Sequence, residues 1–193
     1  MDTYIAFALA VLALLATPGP TNTLMAASGA ARGVGRSLPL LAGELGGYFV
    51  AITVWSEVIG AVASALPWVR IVAELAAVAF LVWSAVKLWM APGIDAGPGR
   101  VIGVGTVFVT TLLNPKAIVF AFVIFPAIGF LGRLPYLGVF GGLVVLTAVG
   151  WMLLGAAAAR TAPGLLAGRR INRGVAVAVT VFAALLLVRV MQG

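Results

Sequence analysis

The chain has 193 residues, of which 63% are hydrophobic and 9% charged, with no cysteine and no histidine. Ordinary soluble domains carry about 25% charged residues, and a globule must turn a large share of its residues to water, so the composition excludes a soluble protein and predicts an integral membrane one. The missing cysteine and histidine exclude disulfides, thiolate chemistry, the commonest metal ligand and the usual neutral-pH acid–base group. The formal net charge of +7 is spread singly between apolar blocks, which suits membrane orientation and not phosphate tracking, so no nucleic-acid partner is expected.

At about 20 residues per span, the chain has room for six transmembrane helices and no soluble domain. The first apolar block runs over Tyr4–Ala27. It opens with an acidic residue, Asp2, and continues into Thr-Pro-Gly-Pro-Thr-Asn, so it reads as a retained helix and not a cleaved signal peptide. Pro18 and Pro20 each lack an N–H and crowd the carbonyl four residues earlier. The helix is predicted to break here and restart over Thr21–Ala27, aiming its positive dipole end into the break, a ready site for a carboxylate. Thr17, Thr21, Asn22 and Thr23 add short polar side chains. The alternative is a kink that Thr and Asn merely cap.

The second block, Leu38–Leu66, is long enough to tilt or kink. Near its start Glu44 stands among Gly43, Gly46 and Gly47. A carboxylate inside a membrane span is a functional candidate by default, either pairing with a cation or taking up a proton. Glu57, near the far end of the same block, is a secondary candidate of more interfacial position. The third block is Ile71–Trp89. The fourth, Val101–Phe125, carries Asn114-Pro115-Lys116 about 15 residues in. A lysine at that depth costs about 3 kcal/mol on insertion scales and must snorkel, pair or face a wet cavity. The alternative is that this block ends early and leaves Lys116 at an interface. The fifth and sixth blocks are Leu134–Ala159 and Val175–Met191. Gly29–Gly33, Gly43–Gly47 and Gly138–Gly142 have the small-xxx-small spacing of helix-packing faces.

Loop charge sets the orientation. Arg32, Arg36, Lys87, Arg100, Arg160, Arg169, Arg170 and Arg173 fall on one side, against Arg70, Arg133 and Arg189 on the other. The positive-inside rule then places both termini outside the cytoplasm. Pro18 and Pro115 lie 97 positions apart, at matching places in two three-helix halves of opposite orientation. Paired breaks of this kind point to a transport site between inverted repeats. The expected fold is therefore an all-α membrane protein, one transmembrane domain over residues 1–193, built as two inverted repeats of about 1–93 and 98–193.

At these residues the chain resembles the LysE/RhtB superfamily of amino-acid exporters. The resemblance is carried by Pro18-Gly19-Pro20 with Asn22, by Gly43 and Gly47, and by Asn114-Pro115-Lys116. Supporting stretches are Ala79–Trp83 with Lys87, and Ala117-Ile118 with Phe120 after the second break. It implies six transmembrane helices in the bacterial inner membrane and export of amino acids or related metabolites driven by the proton gradient. It further implies that Pro18, Gly19, Pro20 and Asn22 form one half of the central site and Asn114, Pro115 and Lys116 the other. The chain departs from the family pattern in having Thr21 before Asn22 and a charged residue at Glu44.

The leading expectation is a secondary exporter of a small zwitterion. The helix ends and Lys116 would hold its carboxylate, with Glu44 on its ammonium or on the coupling proton, and the two halves would rock about that site. The expected partners are an amino-acid-like solute, a proton and membrane lipids, with a homodimer left open. No cofactor and no metal site is expected. The alternatives are a channel or scaffold subunit, an exporter of a metal or other small ion, and, least favoured, an intramembrane hydrolase. Ser28, Ser37, Ser56, Ser64 and Ser84 form no recognised catalytic arrangement, so no enzyme is expected.

Overall fold

The computed structural model describes residues 2–66, 68–90, 102–114 and 116–160, with scattered positions between 173 and 191. Among these residues every regular element is helical and none is a strand. In chain order they are α1 (Asp2–Ala16), α2 (Pro20–Arg32), α3 (Val34–Ser37), α4 (Leu40–Val54), α5 (Gly60–Ala65), α6 (Trp68–Met90), α7 (Val104–Leu112), α8 (Lys116–Val119) and α9 (Phe130–Arg160). A π-helical turn at Trp55–Ile59 joins α4 to α5, and a second at Phe120–Ile124 continues α8. Pro115, residues 91–101 and 161–172, and most of the sixth predicted block lie outside the described residues.

Among the described residues two helices, Leu40–Val62 and Phe130–Arg160, are long and apolar enough to cross a membrane. Two bent pairs would each make a further span: the first turns by 64° between Ala16 and Pro20, the second by 55° between Leu112 and Lys116. The outer surface is apolar, with Ile5, Leu9, Val58, Trp83 and Leu146 each more than half exposed. Such a surface is stable against lipid and not against water.

Both predicted breaks are present, and their details differ from expectation. The restarted helix after the first break is longer than predicted, running over Pro20–Arg32 with Pro20 at its first position. There its missing N–H would have had no intrahelical partner, so Pro20 starts α2 where Pro18 ends α1. Gly33 terminates α2 with φ +79°, a backbone angle that disfavours any side chain, and nothing packs against it. Its predicted role in a packing face is therefore corrected to that of a helix stop. Arg133, assigned to a loop by its flanking Gly and Pro, lies inside α9, which begins at Phe130 and absorbs Pro135.

Two close crossings organise the bundle. A Cβ on Gly29 would overlap the carbonyl of Met152, and one on Gly155 the carbonyl of Ala26, so α2 and α9 meet backbone to backbone. A Cβ on Gly43 would likewise overlap the carbonyl of Val104, and one on Gly47 would stand 2.8 Å from that of Phe108, which brings α4 equally close to α7. Small residues permit this approach, and close packing is the principal attraction between helices in lipid. Gly138 and Gly142 were expected in such a face but have open space around them; on that stretch of α9 it is Gly141 that packs, against Phe49.

Both glycine crossings lie towards one end of the bundle. At the other end aromatic rings close the packing. Tyr4 stacks on Tyr136 with centroids 4.7 Å apart, Phe7 meets Phe125 edge-on at 5.1 Å, and Trp55 meets Phe122 at 6.4 Å. Between the two ends Tyr48, Phe120 and Phe140 form a buried edge-to-face cluster with centroids 4.8 to 5.6 Å apart. These contacts fix directions. The α1–α2 pair and α9 run from the aromatic end to the glycine end, and α4 and the α7–α8 pair run the opposite way. The two broken helices are therefore antiparallel.

Candidate functional site

The first break orphans specific backbone groups. In an unbroken helix the carbonyl of Leu14 would accept from residue 18, but that residue is a proline and has no N–H. The backbone N–H of Thr17 reaches Leu14 O at 3.3 Å, and the Thr17 hydroxyl donates to it at 2.7 Å. Asn22 turns its amide back across the break and donates to Leu15 O and to Thr17 O, each at 2.7 Å. Thr23 donates its hydroxyl to Gly19 O at 2.9 Å. An unsatisfied amide group in hydrocarbon costs several kcal/mol, and these donors remove much of that cost without restoring the helix.

The second break is capped from its own sequence. Asn114 accepts the N–H of Lys116 on Oδ1 at 3.1 Å, while the Ala117 N–H donates to Asn114 O at 2.9 Å. This is N-cap geometry, and asparagine is among the best residues for it. Asn114 Nδ2 donates to Thr21 Oγ1 at 3.3 Å, and that hydroxyl also lies 3.1 Å from the hydroxyl of Thr111. Thr21, Thr111 and Asn114, all buried, thus form a polar bridge between the two breaks.

Lys116 joins the breaks directly. Its ammonium donates to Thr17 O at 2.6 Å and to Leu14 O at 2.9 Å, with the side chain 5% exposed. The cation therefore sits on the negative end of the α1 dipole, on carbonyls at the break that also accept from Thr17 and Asn22. Gly19 makes room for it: a Cβ there would stand 3.2 Å from Lys116 Cε and 3.3 Å from Nζ. Lys116 is therefore buried inside the protein, at the meeting of the two breaks. Pro-Gly-Pro and Asn-Pro-Lys are two sides of one contact.

Glu44 is 1% exposed, and neither carboxylate oxygen has a hydrogen-bond partner. It lies within electrostatic reach of Lys116 and Tyr48, one of the two roles open to it being to pair with a cation, but the Lys116 ammonium donates to α1 and not to Glu44. Glu57 is placed differently. It leaves the π turn after α4 and forms an ion pair with Arg133 at 2.8 Å, its own side chain 52% exposed. Arg133 also donates to Ile128 O at 2.7 Å. The structure thus brings Thr17, Gly19, Thr21, Asn22, Asn114 and Lys116 together, and sets Glu57 apart at the aromatic end. Among the described residues no group of His, Cys, Asp or Glu is placed to hold a metal ion.

Sequence reasoning missed three contributors. Thr111 carried a signal in standing four residues before Pro115, where its carbonyl loses the usual donor and accepts the Asn114 N–H at 3.0 Å instead. The carbonyls of Leu14 and Thr17 could have been found in the same way from Pro18. A second polar cluster, Ser28 with Ser37 at 2.7 Å and Arg32 reaching Ser28 at 2.8 Å and Ile102 O at 3.3 Å, ties the far end of α2 to the start of α7. Nothing short of the fold pairs those positions.

Broken antiparallel helices, an apolar exterior and buried polar groups gathered at the breaks together define a helical membrane protein of the translocator class. A family model described as LysE type translocator matches residues 12–190, and the chain belongs to that family. It is accordingly a membrane exporter. No curated protein and no solved structure matches the chain.

Proposed function

We propose that the protein is a proton-coupled exporter of amino acids or related zwitterions from the cytoplasm of a bacterial cell, working by alternating access across the inner membrane. The observation that carries this reading is the meeting of the two breaks at Lys116, within electrostatic reach of a buried carboxylate, Glu44, that has no hydrogen-bond partner. Buried charged groups in a membrane protein are expensive and mark substrate or ion paths. The six-helix inverted repeat, with both termini outside the cytoplasm, is part of the same reading. It is supported by the antiparallel course of the broken helices and by the loop charges.

In this reading Thr17, Pro18, Gly19, Pro20, Thr21 and Asn22 supply one half-site and Asn114, Pro115 and Lys116 the other. Glu44 takes the substrate ammonium or the coupling proton. Glu57, paired with Arg133, is a latch at the aromatic end and not part of the central site. In proteoliposomes, amino-acid flux is expected to collapse in Asn114→Ala and Glu44→Gln and to stay within about five-fold of wild type in Glu57→Gln. The last expectation follows because an ion pair with one half-exposed partner contributes about 1 kcal/mol or less. Unchanged flux in both Asn114→Ala and Glu44→Gln would remove the site assignment.

The moving bodies in this mechanism are not the two sequence halves. The backbone-close crossings join α2 to α9 and α4 to α7, each across the halves. The polar links Thr21–Thr111, Asn114–Thr21, Lys116–α1 and Glu57–Arg133 all run between these two bodies. The ring contacts of Tyr48 and Phe120 with Phe140 cross the same interface. Separating a backbone-close crossing forfeits its packing, whereas hydrogen bonds and ring contacts can be exchanged, so the two bodies move against one another. The chain has no cysteine, which allows clean spin labelling at Ala31, Ala42, Thr106 and Leu154. Electron–electron distance measurements at acidic and neutral pH are expected to hold Ala31–Leu154 and Ala42–Thr106 constant while Ala31–Ala42 changes. The reverse pattern would restore a rocking of intact halves.

A further inference from the structure

The donors that the sequence aims at a substrate carboxylate are already in use. Lys116 gives two of its three ammonium donors to Thr17 O and Leu14 O and lies against Gly19 on a third side. Asn22 gives its amide to the α1 carbonyls, and Asn114 gives its amide to Thr21. Away from this site, Arg32 donates to Ser28 and Ile102 O, and Arg133 donates to Glu57 and Ile128 O, with its Nε left unpaired at the aromatic end. The acceptor side is the opposite case. Glu44, 1% exposed, offers two oxygens with no donor.

We propose that the site's essential ligand group is a primary ammonium received by Glu44, and that the substrate carboxylate is dispensable. Simple primary alkylamines, the decarboxylated counterparts of amino acids, are then ligands and cargo in their own right. The proposal rests on the reading of the central site as the translocation site. Its physical basis is the asymmetry of unmet demand. A buried carboxylate is stable as an ion only beside a cation that also donates hydrogen bonds, and an ammonium brings three donors to two waiting oxygens. An incoming carboxylate, by contrast, must draw Lys116 away from two short carbonyl contacts or rely on the first amides of α2. With Lys116 parked on α1, the site discriminates strongly for amines and weakly for acids.

The test compares three ligands of one carbon skeleton on the purified full chain in detergent: L-leucine, 3-methylbutylamine, which lacks the carboxylate, and 4-methylpentanoate, which lacks the amine. Thermal melting under titration should show stabilisation by leucine and by the amine, with apparent Kd values within about ten-fold of one another, and none by the acid. The amine's Kd should weaken at least ten-fold in Glu44→Gln and be unchanged in Glu57→Gln. Glu44→Asp, which keeps the charge, should retain amine binding and covers the case in which the glutamine variant does not fold. Stabilisation by leucine without the amine, stabilisation by the acid, amine binding that survives Glu44→Gln, or no response to the amine each overturns the proposal. Amino-acid flux in proteoliposomes is read separately. Flux that depends on Asn114 beside a silent amine rejects this inference and leaves the exporter reading standing, whereas absence of flux rejects that reading itself.

Discussion

Lys116→Met is expected to abolish transport while leaving the protein folded. Each hydrogen bond from the ammonium is charge-assisted, of the class that contributes about 1.5–3 kcal/mol, and there are two of them, at 2.6 and 2.9 Å. Against that loss stands the cost of burying an ammonium, several kcal/mol after relaxation, which methionine does not incur. The two terms oppose one another, so the melting temperature should move little. Transport has no such compensation, because Lys116 is the side chain that ties α8 to the end of α1. Losing even about 3 kcal/mol of that tie from one conformational state corresponds to about a 100-fold fall in flux. Lys116→Arg should fail nearly as badly: the planar guanidinium is wider than an ammonium and meets Gly19, where even a Cβ would lie 3.3 Å from the present Nζ. Proteoliposome flux together with thermal melting decides the matter; flux within a few-fold of wild type in Lys116→Met would show that the contact is incidental.

The largest stability effect is expected at the α2–α9 crossing. A single methyl group at Gly155 would coincide with the carbonyl of Ala26, and one at Gly29 with that of Met152. Backbone cannot rotate away as a side chain can, so the two helices must separate along their contact. Overpacking ordinarily costs about 1–3 kcal/mol and occasionally more, and a clash with backbone belongs at the upper end. Gly155→Ala should lower the melting temperature by about 6–12 °C, taking about 2–4 °C per kcal/mol for a chain of this length, and Gly29→Ala should behave alike. Gly142→Ala, one turn from the buried face with nothing within 4 Å of its Cβ position, serves as the control. It should be neutral or slightly stabilising, because alanine is the better helix former. Equal melting temperatures for Gly155→Ala and Gly142→Ala would contradict the packing described.

These two predictions differ in how far the sequence alone could have supported them. Lys116 stood out from its depth in an apolar block, and Pro18, Gly19 and Pro20 from their chemistry. The positions of both breaks follow from the chain itself, since a proline removes a hydrogen bond wherever it stands. The glycines are another matter. Gly43 and Gly47 pack as their spacing suggested, but Gly33 stops a helix, Gly138 and Gly142 face open space, and Gly155 lay in no recognised pair. Spacing reports which residues share a helix face and says nothing about which face meets a neighbour.

The carboxylates make the same point. Five acidic residues in the whole chain made each one noticeable, yet only the fold separates Glu57, bound to Arg133 at 2.8 Å, from Glu44, buried without a partner. In the sequence Arg133 reads as loop punctuation between Gly132 and Pro135, with nothing to link it to Glu57. Its position 76 residues away from Glu57 in sequence puts the pair beyond any local rule.

The solvent and the interruptions of the helices are written in the chain itself. Composition dictates a membrane interior, and proline chemistry dictates which carbonyls lose their donors, because both are properties of single residues and their immediate neighbours. Which distant group joins the local donors on those carbonyls is fixed by the fold. Lys116 turns to Leu14 and Thr17, 102 and 99 positions away, and leaves Glu44 without a donor. Partner choice depends on which helices cross and at what depth, and those crossings are set by close packing between helices distant in the chain. The two proline motifs could be read from the sequence one at a time; that they meet at one ammonium is a property of the fold.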